Sequence, residues 1–109
     1  MISDHEFQTH CDAAMTSLYK ALVKASDLHE FEVDQNAGTI TMEFDDPPAK
    51  FVVSPNSPVR QIWVSALTRS FKFDWDAARN EFVLAGTGQT LRQSIGESIG
   101  TQLGEDVEL

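Results

Sequence analysis

Cysteine is almost missing from this chain. Cys11 stands alone, so neither an internal disulfide nor a thiolate metal cage can form. Basic residues are scarce: eight lysines and arginines face seventeen acids, for a formal net charge of −9. That balance argues against nucleic-acid binding, which needs a basic footprint. A cation, or a partner with a basic patch, is the natural counterpart. No stretch approaches the ~18 consecutive apolar residues of a membrane-spanning helix, so no membrane partner is expected. The N-terminus carries neither a secretion-signal pattern nor an arginine-rich transit segment, and a cytoplasmic, reducing location is expected. Internal repeats and low-complexity segments are absent. No nucleophile–base pair stands out, and Gly86-Thr87-Gly88 lacks the lysine and longer glycine pattern of a phosphate loop. The expectation is a binding protein and not an enzyme.

What is present suffices for one domain, residues 1–109, with 41% hydrophobic residues to build a modest core. The acid is front-loaded: residues 1–48 hold ten acids and two bases, and residues 49–109 hold seven and six. Ser3 and Glu6 form a capping-box pair, with Ile2 and Phe7 placed to close a hydrophobic staple. Phe7, Cys11, Ala14, Leu18, Leu22 and Ala25 then follow helical spacing, which predicts a helix from Asp4 to Lys24. Cys11 belongs to this stripe and is expected in the core.

The period changes to two at Phe31. Five further alternating stretches follow, ending at Phe82 and Leu84. Asn36-Ala37-Gly38 reads as a hairpin turn, Asp46-Pro47-Pro48 as a break in pairing, and Pro55 to Pro58 as a loop. Leu91, Ile95, Ile99 and Leu103 predict a second helix, Gln89–Leu103, stopped by Gly104. Gly96 and Gly100 weaken that helix and are expected to allow close packing on a neighbour. The fold class is α+β: a two-layer sandwich with both helices on one face of a six-stranded antiparallel sheet.

Alternation then names the open face. It carries Glu30, Glu32, Asp34, Glu43 and Asp45 on the first two strands, and Ser54, Gln61, Trp63, Lys72 and Asp74 on later ones. A two-residue turn at Ala37-Gly38 sets Asp34 opposite Thr41, Glu32 opposite Glu43 and Glu30 opposite Asp45, keeping these acids on one face. Facing carboxylates suit a hard cation or a partner arginine, and equally a plain solvated surface. They are too spread along the strands for one closed cage. Trp63 faces outward, as an interface anchor or a residue partly covered by a loop. Trp75 is expected in the core with Phe71 and Phe73. His29 lies near the acids and could add a nitrogen ligand, while His5 and His10 do not share a helix face.

These residues resemble the frataxin family, especially its bacterial form. The resemblance rests on SPNSPVRQIWVS at 54–65, FKFDW at 71–75, Glu6-Phe7, the NAGTITMEF hairpin and Gly88-x-x-Leu91, and it spans nearly the whole chain in order. It implies a two-helix sandwich that binds iron, Fe2+ or Fe3+, weakly at its surface. It also implies docking on the cysteine desulfurase and scaffold of iron–sulfur cluster assembly, as a regulator. Carried over by position, Trp63, Gln61, Ser54 and Lys72 are partner contacts, Ser54 standing where an asparagine is usual. Glu30 and Glu32 extend that surface as an acidic edge. The metal-binding acids would be Asp27, Glu30, Glu32, Asp34, Glu43 and Asp45. The family's acidic ridge is interrupted on the first helix by Lys20 and Lys24. A monomer is expected, with oligomers where iron drives them. A stand-alone iron chaperone or store is the alternative function. A ferroxidase ranks last, because no Glu-x-x-His helical pairs occur.

Overall fold

The capping box predicted at the N-terminus forms. In the computed structural model, which describes residues 2–45 and 47–109, the Ser3 hydroxyl accepts from the Glu6 N–H at 3.1 Å and the Glu6 carboxylate accepts from the Ser3 N–H at 3.4 Å. Such a cap is worth about 1 kcal/mol. It opens α1 (Asp4–Leu28), whose buried stripe is Phe7, Cys11, Met15, Leu18, Leu22 and Ala25. Met15 takes the deep position expected for Ala14, which is only partly buried. α1 runs four residues past its expected end at Lys24. Ala25 continues the stripe there and no glycine or proline follows until Gly38, so nothing halts the helix earlier.

Six strands then form one antiparallel meander, neighbours in chain order: β1 (Glu32–Asn36), β2 (Thr39–Asp45), β3 (Pro48–Asn56), β4 (Gln61–Ala66), β5 (Arg69–Asp76) and β6 (Glu81–Leu84). Helix α2 (Leu91–Leu103) closes the chain's regular structure. It starts two residues later than expected, because Thr90 caps it in a second box with Gln93, the bonds being 3.2 and 3.0 Å. Gly104 ends it in the left-handed conformation, φ 71°. Both helices cover the face built by Ile40, Met42, Phe44, Phe51, Val53, Ile62, Val64, Phe73 and Phe82, all buried. The two-layer α+β sandwich is therefore observed. No helix among the described residues is long and apolar enough to cross a membrane.

The register of the first hairpin is the predicted one: Glu32 opposes Glu43, Asp34 opposes Thr41 and Asn36 opposes Thr39. Ala37 and Gly38 both have positive φ, 51° and 82°, as a two-residue hairpin turn requires. The pairing stops at Glu32, however, so the expected Glu30–Asp45 pair is not part of the ladder. A tight turn, with the Phe31 N–H donating to the His29 carbonyl at 3.1 Å, lifts Glu30 off the strand line.

The prolines interrupt less than expected. Asp45 pairs with Pro48, which is the first residue of β3, where a missing N–H is tolerated; Asp46 lies outside the described residues. Pro55 and Asn56 were expected in a loop but oppose Ile62 and Gln61 on β4. The β2 ladder ends at Val53, so the Pro55 nitrogen has no bond to lose on that side. Only residues 57–60 leave the sheet, as a short 3-10 turn, Ser57–Val59, and its cap Arg60. A turn without turn residues joins β4 to β5: Leu67 and Thr68 both sit at positive φ, 53° and 64°. The pairing of Ala66 with Arg69 imposes this conformation on side chains that disfavour it.

Gly96 and Gly100 have the close neighbour that their sequence predicted, and it is the chain's own tail. A β-carbon on Gly96 would lie 3.3 Å from the Val107 carbonyl oxygen, and one on Gly100 only 2.8 Å from that of Glu105. Val107 and Leu109 pack against the core over this seam. Gly100→Ala should lower stability by about 1–3 kcal/mol through this overlap, although alanine favours a helix by about 1 kcal/mol. Denaturant unfolding curves check this, with Gly96→Ala expected to be the milder variant.

Candidate docking site

Strands β3, β4 and β5 bring Ser54, Trp63 and Lys72 into one row across the open face. Asn56, Gln61 and Asp74 form the row beside it. Trp63 is 38% exposed, between the buried Ile62 and Val64. Its indole N–H donates to Gln61 Oε1 at 2.9 Å. The Gln61 amide in turn donates to Asp74 Oδ1 at 3.0 Å. The Lys72 ammonium lies 4.9 Å from the centre of the Trp63 ring. An exposed cation–π contact of this kind contributes about 0.5–1 kcal/mol. Trp63 is thus held at its polar edge and on one ring face. An anchor fixed before binding avoids part of the ~0.5–1.5 kcal/mol that ordering a side chain costs.

Asp74 is the residue that sequence reading placed on the right face but gave no role. Alternation puts it outward. Only the β4–β5 register reveals that it stands opposite Gln61 and completes the chain Asp74–Gln61–Trp63.

The acids are placed more loosely. Asp27, Glu30, Glu32 and Asp45 line one shallow depression of about 440 Å3 with His29. Glu32, Asp34 and Glu43 line another of about 550 Å3, beside Tyr19 and Val23. Glu32 is common to both. Lys50 of β3 opposes Glu43 from the other side, which relieves part of the like-charge pairing of Glu43 with Glu32. Among the described residues, no three of His, Cys, Asp or Glu converge to hold a metal ion. The six carboxylates named above are each exposed to solvent. His29 has its own partner, its Nδ1 lying 2.7 Å from Glu105 Oε1.

The remaining singled-out residues are structural. Cys11 is buried. Burial, and then the charge of Asp12, push its thiol up to about 11, so it is inert at neutral pH. His10 stacks on Trp75 with ring centres 3.8 Å apart. Trp75 lies on the core side, as expected, partly buried against Phe82. A cleft of about 260 Å3 beside that stack holds none of the Trp63 row.

Comparison with known proteins agrees with this architecture. The frataxin-like domain family matches residues 1–105. The chain is 25% identical over 108 residues to the iron-sulfur cluster assembly protein CyaY of Thioalkalivibrio sulfidiphilus, covering 99% of this chain and 100% of that one. It is 30% identical over 109 residues to mitochondrial frataxin of Dictyostelium discoideum, covering 99% of this chain and 53% of that protein. In fold it is similar to frataxin from Psychromonas ingrahamii, with a TM-score of 0.82, 20% identity, and 98% and 97% of the two chains covered. Trimeric frataxin of Saccharomyces cerevisiae gives a TM-score of 0.73 at 22% identity, covering 88% of this chain and 80% of that one.

The hydrogen-bonded chain predicts a dynamic effect. Gln61→Ala should release the Trp63 indole, and Asp74→Ala should loosen it less, each at a stability cost near 1 kcal/mol. Relaxation of the 15N-labelled indole checks this; an indole as ordered in Gln61→Ala as in the parent would contradict it.

Proposed function

This chain belongs to the frataxin-like family, and we propose that it serves iron–sulfur cluster assembly as a docking module rather than as an enzyme. The observation that carries the reading is Trp63: a large aromatic side chain, exposed on a sheet face and already held by Gln61 and Lys72. In this proposal the partners are a cysteine desulfurase and its scaffold, met in the cytoplasm by a monomer. Trp63 enters a pocket on the partner, where a central buried aromatic anchor contributes about 2 kcal/mol or more. Gln61 and Ser54 frame it. Glu30 and Glu32 meet partner arginines, whose planar forks match carboxylates. The net charge of −9 draws a basic surface in before contact. Binding at this face regulates the partner.

Iron, as Fe2+ or Fe3+, is cargo in this scheme, held weakly and singly by Asp27, Glu30, Glu32, Asp34, Glu43 and Asp45. A stand-alone iron chaperone or store draws less support, since no three ligands converge among the described residues.

Calorimetric titration against the cognate desulfurase tests the docking surface. Trp63→Ala should weaken binding at least tenfold, about 1.4 kcal/mol. The Glu30→Ala/Glu32→Ala pair should weaken it less and flatten its salt dependence. Parent-like affinity in every variant rejects this surface.

A further inference from the structure

The helical side of the molecule carries a feature that the acidic composition does not lead one to expect. Lys20, Lys24 and Arg92 line one groove of about 480 Å3, together with the apolar side chains of Ala21, Ala25 and Leu28. Glu108 and Leu109 also line it, as does His29, which is engaged with Glu105. Lys20 and Lys24 are one helical turn apart, a spacing at which like charges repel and destabilise a helix. The ion pairs among the described residues are His29–Glu105, Asp4–Arg60 and Arg79–Glu81. Neither lysine nor Arg92 takes part in them, although the chain holds seventeen acids. Arg92 is oriented by donating from Nη2 to the carbonyl and hydroxyl of Ser17. Leu28, in the same groove, is 80% exposed, well above Trp63 at 38%.

Like charges one turn apart, in no ion pair, and a bare leucine on one helix face are both unfavourable in the isolated protein. A partner of opposite charge and matching shape relieves both at once. We propose that this groove docks an acidic polypeptide segment of a partner protein. Carboxylates one helical turn apart seat on Lys20 and Lys24, Arg92 takes a further carboxylate, and an apolar side chain covers Leu28. The surface is separate from the Trp63 face, because α1 lies on the opposite side of the sheet. The net charge of −9 repels acidic ligands at long range. An acidic segment that binds therefore does so through this local patch.

Fluorescence anisotropy with a labelled acidic peptide tests the inference. The probe is about 15 residues long, enough for a marginal helix, with glutamates one turn apart and leucines on the adjoining stripe. It should bind the parent. Lys20→Glu/Lys24→Glu should weaken it at least tenfold and Leu28→Ala several-fold, while Trp63→Ala leaves it unchanged. All these sites are exposed, and circular dichroism confirms that each variant is folded. The inference fails if the peptide does not bind at millimolar concentration, if the charge reversal leaves its affinity unchanged, or if Trp63→Ala removes it. It also fails if an oligonucleotide or an anionic vesicle binds more tightly with the same lysine dependence, or if sedimentation shows the groove closed by a second copy of the chain.

Discussion

One-sided burial governs this molecule. The apolar stripes of α1 and α2 cover a single face of the six-stranded sheet, so each strand sends alternate side chains to the core and to water. A one-residue slip would exchange the faces. It would expose Ile62 and Val64 in order to bury Trp63, at about 1.5–3 kcal/mol for each side chain lost from the core. The exposure of Trp63 is thus not a local accident. It is enforced by its two neighbours, and by the whole row of residues that oppose it on β3 and β5.

The same constraint separates two kinds of surface. β1 is an edge strand and β4 lies three strands away, which is roughly 14 Å at the ~4.8 Å spacing of neighbouring strands. That exceeds the ~8 Å screening length at physiological salt. The acids of β1 are therefore largely screened from Trp63. In the proposed docking, charge at the edge brings a basic surface near, and the held aromatic on the central strands supplies the lasting contact. Lys72 belongs to the second device, since it lies over the ring.

Much of the fold was legible in local residue order. The first capping box, the stripe from Phe7 to Ala25, the period-two strands and the register of the first hairpin each follow from neighbours within a few residues. So does the outward position of Trp63. What escaped depended on distant partners. Pro55 sits inside β3 because β2 has already ended beside it, and Leu67-Thr68 turns because β4 and β5 pair around it. Asp74 gained its role only through register, as did the lack of a strand pair between Glu30 and Asp45. The tail over Gly96 and Gly100 is a contact between helix and coil, which carries no period at all. The candidate acids were individually readable. Their division into two open depressions was not, because it depends on where α1 ends relative to β1.

The central claim is that this open face, through Trp63, acts on iron–sulfur cluster assembly. Cluster-assembly kinetics with the cognate desulfurase and scaffold test it most directly, run without protein, with the parent and with Trp63→Ala. The account predicts that the parent changes the rate and that Trp63→Ala restores most of the protein-free rate. An unchanged rate with the parent, or an equal effect from both proteins, would contradict it.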